Sequence, residues 1–159
     1  MVLYVASTAK REEGLALMMQ FQLITLAGVR IDEPVYEVIL PTTEGQISVF
    51  PSHEPLVAVA RSGAVAIRRR KTDSDDHLEY FAISGGVVEI NQKRVRILVD
   101  EAEHGDDIVE AETQAALERA LKMRDEAQDQ VELEKAHQLV DRHRVRLHVA
   151  GLRRRHHRR

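Results

Sequence analysis

The stretch PTTEGQISVFPSHEPLVAVARSG, residues 41–63, alternates short apolar runs with clusters of turn formers. Proline fixes φ and lacks an amide donor, and glycine adopts backbone conformations closed to other residues. Residues 41–45, 51–55 and the Ser-Gly at 62–63 therefore read as turns. Between them, QISVF (46–50) and LVAVA (56–60) are too short for helices and rich in β-branched side chains, which makes them strands. The same pattern continues on both sides: FQLITL (21–26), VYEVIL (35–40), AVAIR (64–68), LEYFAI (78–83), VVEI (87–90) and VRILV (95–99) are each bounded by Gly, Pro, Asn, Asp or Ser. About eight strands at this spacing predict an antiparallel β-sandwich. In VRILV, Val95, Ile97 and Val99 share the inner face. Arg96 points outward with Leu98, which is expected to be covered at a sheet edge.

Past Gly105 the period changes. No Gly or Pro occurs from Asp106 to Ala150, and Ala, Glu, Gln, Leu, Lys and Arg dominate. Asp107 and Glu110 have the spacing of a capping pair. Ile108, Ala111, Ala115, Ala116, Ala120 and Met123 form one small-residue stripe, and Leu133, Ala136, Val140 and Leu147 form a second. Two such stripes suit a close antiparallel hairpin broken within 124–130. One continuous helix of about 40 residues, roughly 60 Å long, is the alternative. The expected fold is α+β: a sandwich over 19–104, a helical hairpin over 105–150 and a basic tail over 151–159. Residues 1–18 are expected to be an extension without regular structure, or to precede a true start at Met19.

Charge is unevenly distributed. The net formal charge is −3, yet residues 135–159 carry nine basic side chains against the single acid Asp141. Residues 104–134 carry ten acidic and three basic side chains. A polarised tail of this kind seeks acidic surfaces. There is no cysteine, which excludes disulfides and thiolate metal sites. No apolar run approaches the roughly 20 residues of a membrane-spanning helix.

Motifs for catalysis fail on geometry. Ser84-Gly85-Gly86 resembles a phosphate loop only in composition, since no helix follows it. Ser52-His53-Glu54 cannot form a triad, whose members must converge from separate elements. His143 and His148 are five apart, a poor match to ligands on one helix face, and no carboxylate accompanies them. His137, His156 and His157 read with them as a solvated basic face, so no metal is expected. RRRHHRR (153–159) is a generic nucleic-acid signal, but no aromatic residue beyond Phe81 is available to stack on bases, and a protein partner is favoured.

Taken together, LPTTEGQISVFPSHEPL (40–56), the Pro-x-His-x-Pro turn (51–55), Phe-Ala-x-Ser-Gly-Gly (81–86) and the following Ala/Glu/Arg-rich hairpin resemble the epsilon subunit of bacterial F-type ATP synthases, from about Met19 to Ala150. The resemblance implies a non-catalytic central-stalk subunit without a cofactor, lying peripherally on the cytoplasmic side of the cell inner or plasma membrane. Its sandwich would grip the gamma subunit and rest on the c-ring, coupling proton flow to ATP synthesis. Its helices, extended along gamma, would restrain ATP hydrolysis. By the same resemblance Thr43, Glu44, Gly45, Gln46, His53 and Glu54 contact gamma or the c-ring from one end of the sandwich or an adjoining face. Arg142, Arg144, Arg146, Arg153, Arg154 and Arg155 would meet acidic segments of the beta subunits.

Some family members bind ATP in the folded hairpin. Arg119, Arg142 and Arg146 match basic positions of that site, but Glu110 stands where the motif carries arginine, so ATP is not expected as a ligand. Ser48 and Ser52 replace glycines usual in the family. The alternative reading is a free-standing β-sandwich adaptor whose basic helical tail binds an acidic protein or nucleic acid.

Overall fold

A computed structural model describes residues 17–156. Residues 1–16, which hold most of the expected N-terminal extension, and 157–159 lie outside them. Ten strands form in order: β1 (Met19–Thr25), β2 (Gly28–Val35), β3 (Glu37–Thr42), β4 (Gly45–Val49), β5 (Leu56–Ala60), β6 (Gly63–Arg68), β7 (Glu79–Ile83), β8 (Gly86–Ile90), β9 (Arg94–Val99) and β10 (Ala102–His104). The two beyond the expected eight are those whose apolar alternation is interrupted. β2 carries Arg30, Asp32, Glu33 and Pro34 and is a sheet edge, where charge and proline discourage pairing with a further strand. β10 is three residues long.

Hydrogen bonding runs β10-β7-β6-β3-β5-β8-β9-β1-β2, with β4 paired to β3. The link between β3 and β5 rests on one residue pair, Thr42 with Ala60. There the sheet turns a corner and becomes two layers. Pairing is antiparallel throughout except between β1 and β9, which run parallel. The core lies between the layers: Phe21, Leu23, Val35, Val38, Leu40, Val49, Val65, Ile67, Val88, Val95 and Ile97 have no exposed surface. Alternation along β9 places Val95, Ile97 and Val99 inward as expected. Leu98, however, belongs to a strand flanked by β8 and β1 rather than to an edge, and is 38% exposed.

A 3-10 turn at Gly105–Asp107 leads into helix α1 (Glu110–Glu126), and α2 (Gln130–His156) returns antiparallel to it. Asp107 does not cap α1. It sits inside the 3-10 turn, and Val109 is the cap residue, with no side-chain cap bond. The capping pair lies instead at the second helix. Asp129 Oδ1 accepts the Glu132 amide at 2.8 Å, and Glu132 Oε2 accepts the Gln128 amide at 2.8 Å. The first bond satisfies a donor left free by the first turn of α2, the second ties down the residue before the cap, and together they fix the break that makes a hairpin rather than one long helix.

The buried line of α1 is also rotated from the alanine stripe. Thr113 and Ala120 are buried, whereas Ala111, Ala115 and Met123 are exposed. Thr113 can be buried because its hydroxyl donates to the Val109 carbonyl at 2.8 Å. On α2, Ala136 and Val140 are buried as expected. The helix continues past Ala150 through Arg153, Arg154 and Arg155, which sequence had assigned to a tail.

A second apolar cluster joins this arm to the sandwich. Val149 and Ala150 of α2, with Ile108, pack on Ala66, Tyr80 and Ala82 on the outer face of β6 and β7. Burial raises the Tyr80 phenol above its ordinary pKa.

Candidate functional site

One outer face of the sandwich is covered by α2. The other, formed by β5, β8, β9, β1 and β2, is bare of other elements among the described residues. Register places two rows of side chains side by side across it. The first row runs Val57, Glu89, Arg96, Gln22, Asp32, each residue opposite the next. Its polar members satisfy one another. Arg96 donates to Glu89 at 3.5 Å and to Gln22 Oε1 at 3.1 Å, and Gln22 Nε2 donates to Asp32 at 3.1 Å. Hydrogen bonds from Gln20 and Gln22 hold the Asp32 carboxyl below its ordinary pKa.

The second row runs Val59, Val87, Leu98, Ile24, Val29. It is apolar on all five strands and spans roughly 19 Å at ~4.8 Å per strand. Val59 is 55%, Val87 42% and Val29 60% exposed. Scattered exposed apolar residues need no explanation, but three valines, a leucine and a half-buried isoleucine in register form a contiguous patch of the kind that marks a binding surface. Leu26, 84% exposed, extends it at the tip of the β1–β2 turn.

That turn is a copy of another. Thr25 Oγ1 donates to Gly28 O at 3.1 Å and accepts the Ala27 amide at 3.2 Å. Thr42 Oγ1 donates to Gly45 O at 2.7 Å and accepts the Glu44 amide at 3.2 Å. Each buried threonine stitches a Thr-x-x-Gly turn closed, so that the two middle residues stand out rigidly. The Thr43 amide donates to Val59 O at 3.1 Å and the Arg61 amide to Pro41 O at 3.0 Å. These bonds tie the 42–45 turn to the end of the sandwich that carries the apolar row. Thr43, Glu44, Gly45 and Gln46 are all exposed there.

His53 and Glu54 are not with them. They follow β4, whose other end holds the Thr42–Gly45 turn, so the two turns sit at opposite ends of that strand. The 51–55 turn is pinned to the far end by the Ser52 amide, which donates to Gln92 O at 2.9 Å. Ser52 takes a left-handed φ of 67°, the conformation for which a glycine is usual. His53 Nδ1 lies 2.7 Å from the Glu54 carbonyl oxygen, a local contact within the turn.

The arginines form a second site along the seam between α2 and the segment leaving the sandwich. Arg146 grips Glu103 with both arms of its fork, at 2.5 and 3.0 Å. Arg142 meets Glu101 at 3.0 Å, Arg153 meets Asp106 at 3.6 Å and donates to Gly105 O at 2.9 Å, and Arg154 meets Glu110 at 3.1 Å. Arg144 and Arg155 are exposed. At the same seam His104 Nδ1 accepts the Asp106 amide at 3.0 Å, which leaves Nε2–H to donate to Glu79 at 2.8 Å.

Arg119, Arg142 and Arg146 surround His143. Burial, then these three cations, hold its imidazole below its ordinary pKa. A lowered histidine pKa means that the unfolded chain binds the proton more readily than the folded one. Its contribution is absent above the unfolded value near 6.5 and becomes a penalty as pH falls below it. The hairpin is therefore expected to lose thermal stability on acidification below about pH 6.5. His143→Gln should flatten that dependence, and melting curves across the range will show whether it does.

Sequence reasoning missed the apolar row because its members lie in five different strands and meet only through register. The repeated Thr-x-x-Gly spacing at 25–28 and 42–45 was the signal for the turns beside it.

Comparison with known proteins gives one consistent picture. Residues 18–105 match the family model described as ATP synthase, Delta/Epsilon chain, beta-sandwich domain. The chain is 35% identical to the ATP synthase epsilon chain of Rippkaea orientalis over 136 residues, covering 84% of this chain and 96% of that one. It is 37% identical to the ATP synthase epsilon chain of Herpetosiphon aurantiacus, covering 85% and 96%. A chain in the cryo-EM structure of the Euglena gracilis mitochondrial ATP synthase (OSCP/F1/c-ring, rotational state 1) aligns with a TM-score of 0.71 at 21% identity, over 86% of this chain and 82% of that one. That likeness shows a shared fold.

Proposed function

Because this chain belongs to the ATP synthase delta/epsilon chain family, we propose that it is a non-catalytic rotor subunit of an F-type ATP synthase. It binds the gamma subunit and the c-ring, couples proton flow to ATP synthesis, and restrains ATP hydrolysis with its helical arm. The observation that carries this reading is the apolar row Val59, Val87, Leu98, Ile24, Val29. It lies on a rigid two-layer scaffold, beside a stitched polar turn. A subunit that transmits torque needs a stiff body and a broad contact, and a flat apolar row flanked by a satisfied polar row supplies both.

In this reading the apolar row faces gamma, and Thr43, Glu44, Gly45 and Gln46 face the polar loops of the c-ring from the same end. His53 and Glu54, at the far end, are left out of that contact. The arm bears the arginines for the acidic segments of the beta subunits, since the planar guanidinium holds carboxylates with paired hydrogen bonds. Membrane association comes through the complex. No helix among the described residues is long and apolar enough to cross a bilayer.

The test is co-assembly with gamma. Placing aspartate in the row, as Val59→Asp with Val87→Asp, should weaken capture by gamma about a hundredfold. Each charge would have to be desolvated against an apolar partner. Both positions are exposed, so the isolated chain should still fold. In the reassembled enzyme, removal of residues 110–159 should raise ATP hydrolysis several-fold, on the order of the loss of a single well-placed contact. Unchanged capture by gamma sinks the docking reading, and unchanged hydrolysis sinks the restraint.

A further inference from the structure

The four ion pairs of α2 share a feature that their chemistry alone does not require. Glu101, Glu103, Asp106 and Glu110, the carboxylates they engage, all lie in the ten residues that carry the chain out of the sandwich and into α1. The arm is thus fastened to its own hinge, through β10, the 3-10 turn and the first turn of α1. Arg153 also binds the Gly105 carbonyl within that 3-10 turn. On the helix the arginines flank the apolar stripe of Val149 and Ala150, which seats them over the carboxylates.

We propose that the C-terminal half of α2 is an ionic clasp on the linker 101–110. Arg142, Arg146, Arg153 and Arg154 are held in cis by four carboxylates of the same chain, and the 3-10 turn within that segment bends freely only once they let go. This deepens the arm reading above. Arginines engaged in cis cannot meet a partner's carboxylates, so an acidic surface must displace Glu101 and Glu103 in order to engage Arg142 and Arg146. The pairs are half exposed, apart from the better-covered Arg146–Glu103, and pairs of that kind are individually weak and screened by salt. The clasp is therefore reversible and dependent on ionic strength, while the apolar seat supplies the register.

The isolated full chain suffices for the test. It contains no cysteine, so spin labels can be placed at Gln128→Cys in the hairpin loop and Ser48→Cys on the sandwich. The labelled chain should show one narrow distance distribution at about 0.05 M salt, and a second, broader population should grow as salt rises to about 1 M. Glu101→Gln with Glu103→Gln should raise that population about tenfold at low salt. It should also accelerate amide exchange over 105–108 by about as much, while exchange at Val88 and Ile97 in the core stays unchanged. Reversal of the best pair, Glu103→Arg with Arg146→Glu, should restore the narrow distribution. The clasp is overturned if distances and linker exchange are indifferent to the glutamine pair and to salt. It is also overturned if charge reversal fails to restore docking, since the loss in the glutamine pair would then not come from charge pairing. No partner subunit enters these measurements, so they are decided separately from capture by gamma.

Discussion

Gly86→Ala is expected to destabilise the sandwich by about 3 kcal/mol or more, lowering the melting temperature by about 15 °C. Gly86 opens β8 at a φ of 156° and is paired on both sides, to Ala60 of β5 and Val99 of β9. A β-carbon built there runs into the Leu98 carbonyl, with the Leu98 carbonyl carbon 2.9 Å and the Val99 α-carbon 3.1 Å away. These are backbone atoms of a central strand and cannot turn aside as a side chain could. Relief requires β8 and β9 to part at the end where the apolar row begins. The neighbouring Gly85→Ala is the control. Its φ of 93° is strained for an L-residue, but its nearest contact is 3.1 Å, so a cost of about 1–2 kcal/mol is expected. Calorimetry of both variants orders the two effects. Equal melting temperatures would mean that the close approach of β8 and β9 is not what requires glycine.

Arg68→Met should cost about 3–5 kcal/mol. Glu37 begins β3 with only 6% of its surface exposed, and its charged partner among the described residues is Arg68, opposite it on β6. The guanidinium donates to Glu37 Oε2 at 2.7 Å, to the Asp73 carbonyl at 2.6 Å and to Asp75 at 2.6 Å. It thus closes the 69–78 loop as well as neutralising the strand. Bonds to Asp75 and then Glu37 hold it even further above its ordinary pKa. Methionine keeps the apolar stem and leaves a buried carboxylate alone, which is the costly outcome. Pairing the change with Glu37→Leu should recover most of the loss, because no charge is then stranded. Urea titration of the single and double variants supplies the numbers, with the shift in midpoint at constant slope as the criterion. A single variant within about 1 kcal/mol of the parent would show that solvent already screens the pair.

Much of this architecture was legible in residue order. β3 to β9 announce themselves by short β-branched runs between turn formers, and the change of period at Gly105 separates sandwich from arm. β2 was hidden because an edge strand is built to look unlike a strand, with Arg30, Asp32, Glu33 and Pro34 interrupting it. The hairpin break falls within 124–130, where the apolar stripe lapses and the sequence predicts it. The cap that fixes it, Asp129-x-x-Glu132, is obscured by the similar spacing of Asp107 and Glu110, which a 3-10 turn occupies instead. Thr113 stands outside any stripe of apolar residues, although its hydroxyl is spent on its own helix, and its burial rotates the inner face of α1.

The placement of the candidate residues is legible where it is local. The Thr43–Gln46 turn could be read from its own glycine. The resemblance sets His53 and Glu54 at the same end or an adjoining face, whereas β4 intervenes and carries the chain across the body to the opposite end. The apolar row and the carboxylates facing Arg142 and Arg146 depend on which strands become neighbours. No window along the sequence contains that information.

The parallel alliance of β1 with β9 has a consequence for how the molecule is made. Gln22 and its register partner Arg96 stand 74 residues apart along the chain. A nascent polypeptide can close the β1–β2 hairpin early, but Phe21 and Leu23 then wait on the ribosome without the strand that shields their other flank. Long-range closure of this type slows folding and leaves greasy intermediates open to self-association. The charged, proline-bearing β2 guards the free margin of that early hairpin during the wait. Synthesis order and edge chemistry thus solve one problem together, and a β2 stripped of its charges would endanger the newborn chain before it harmed the finished one.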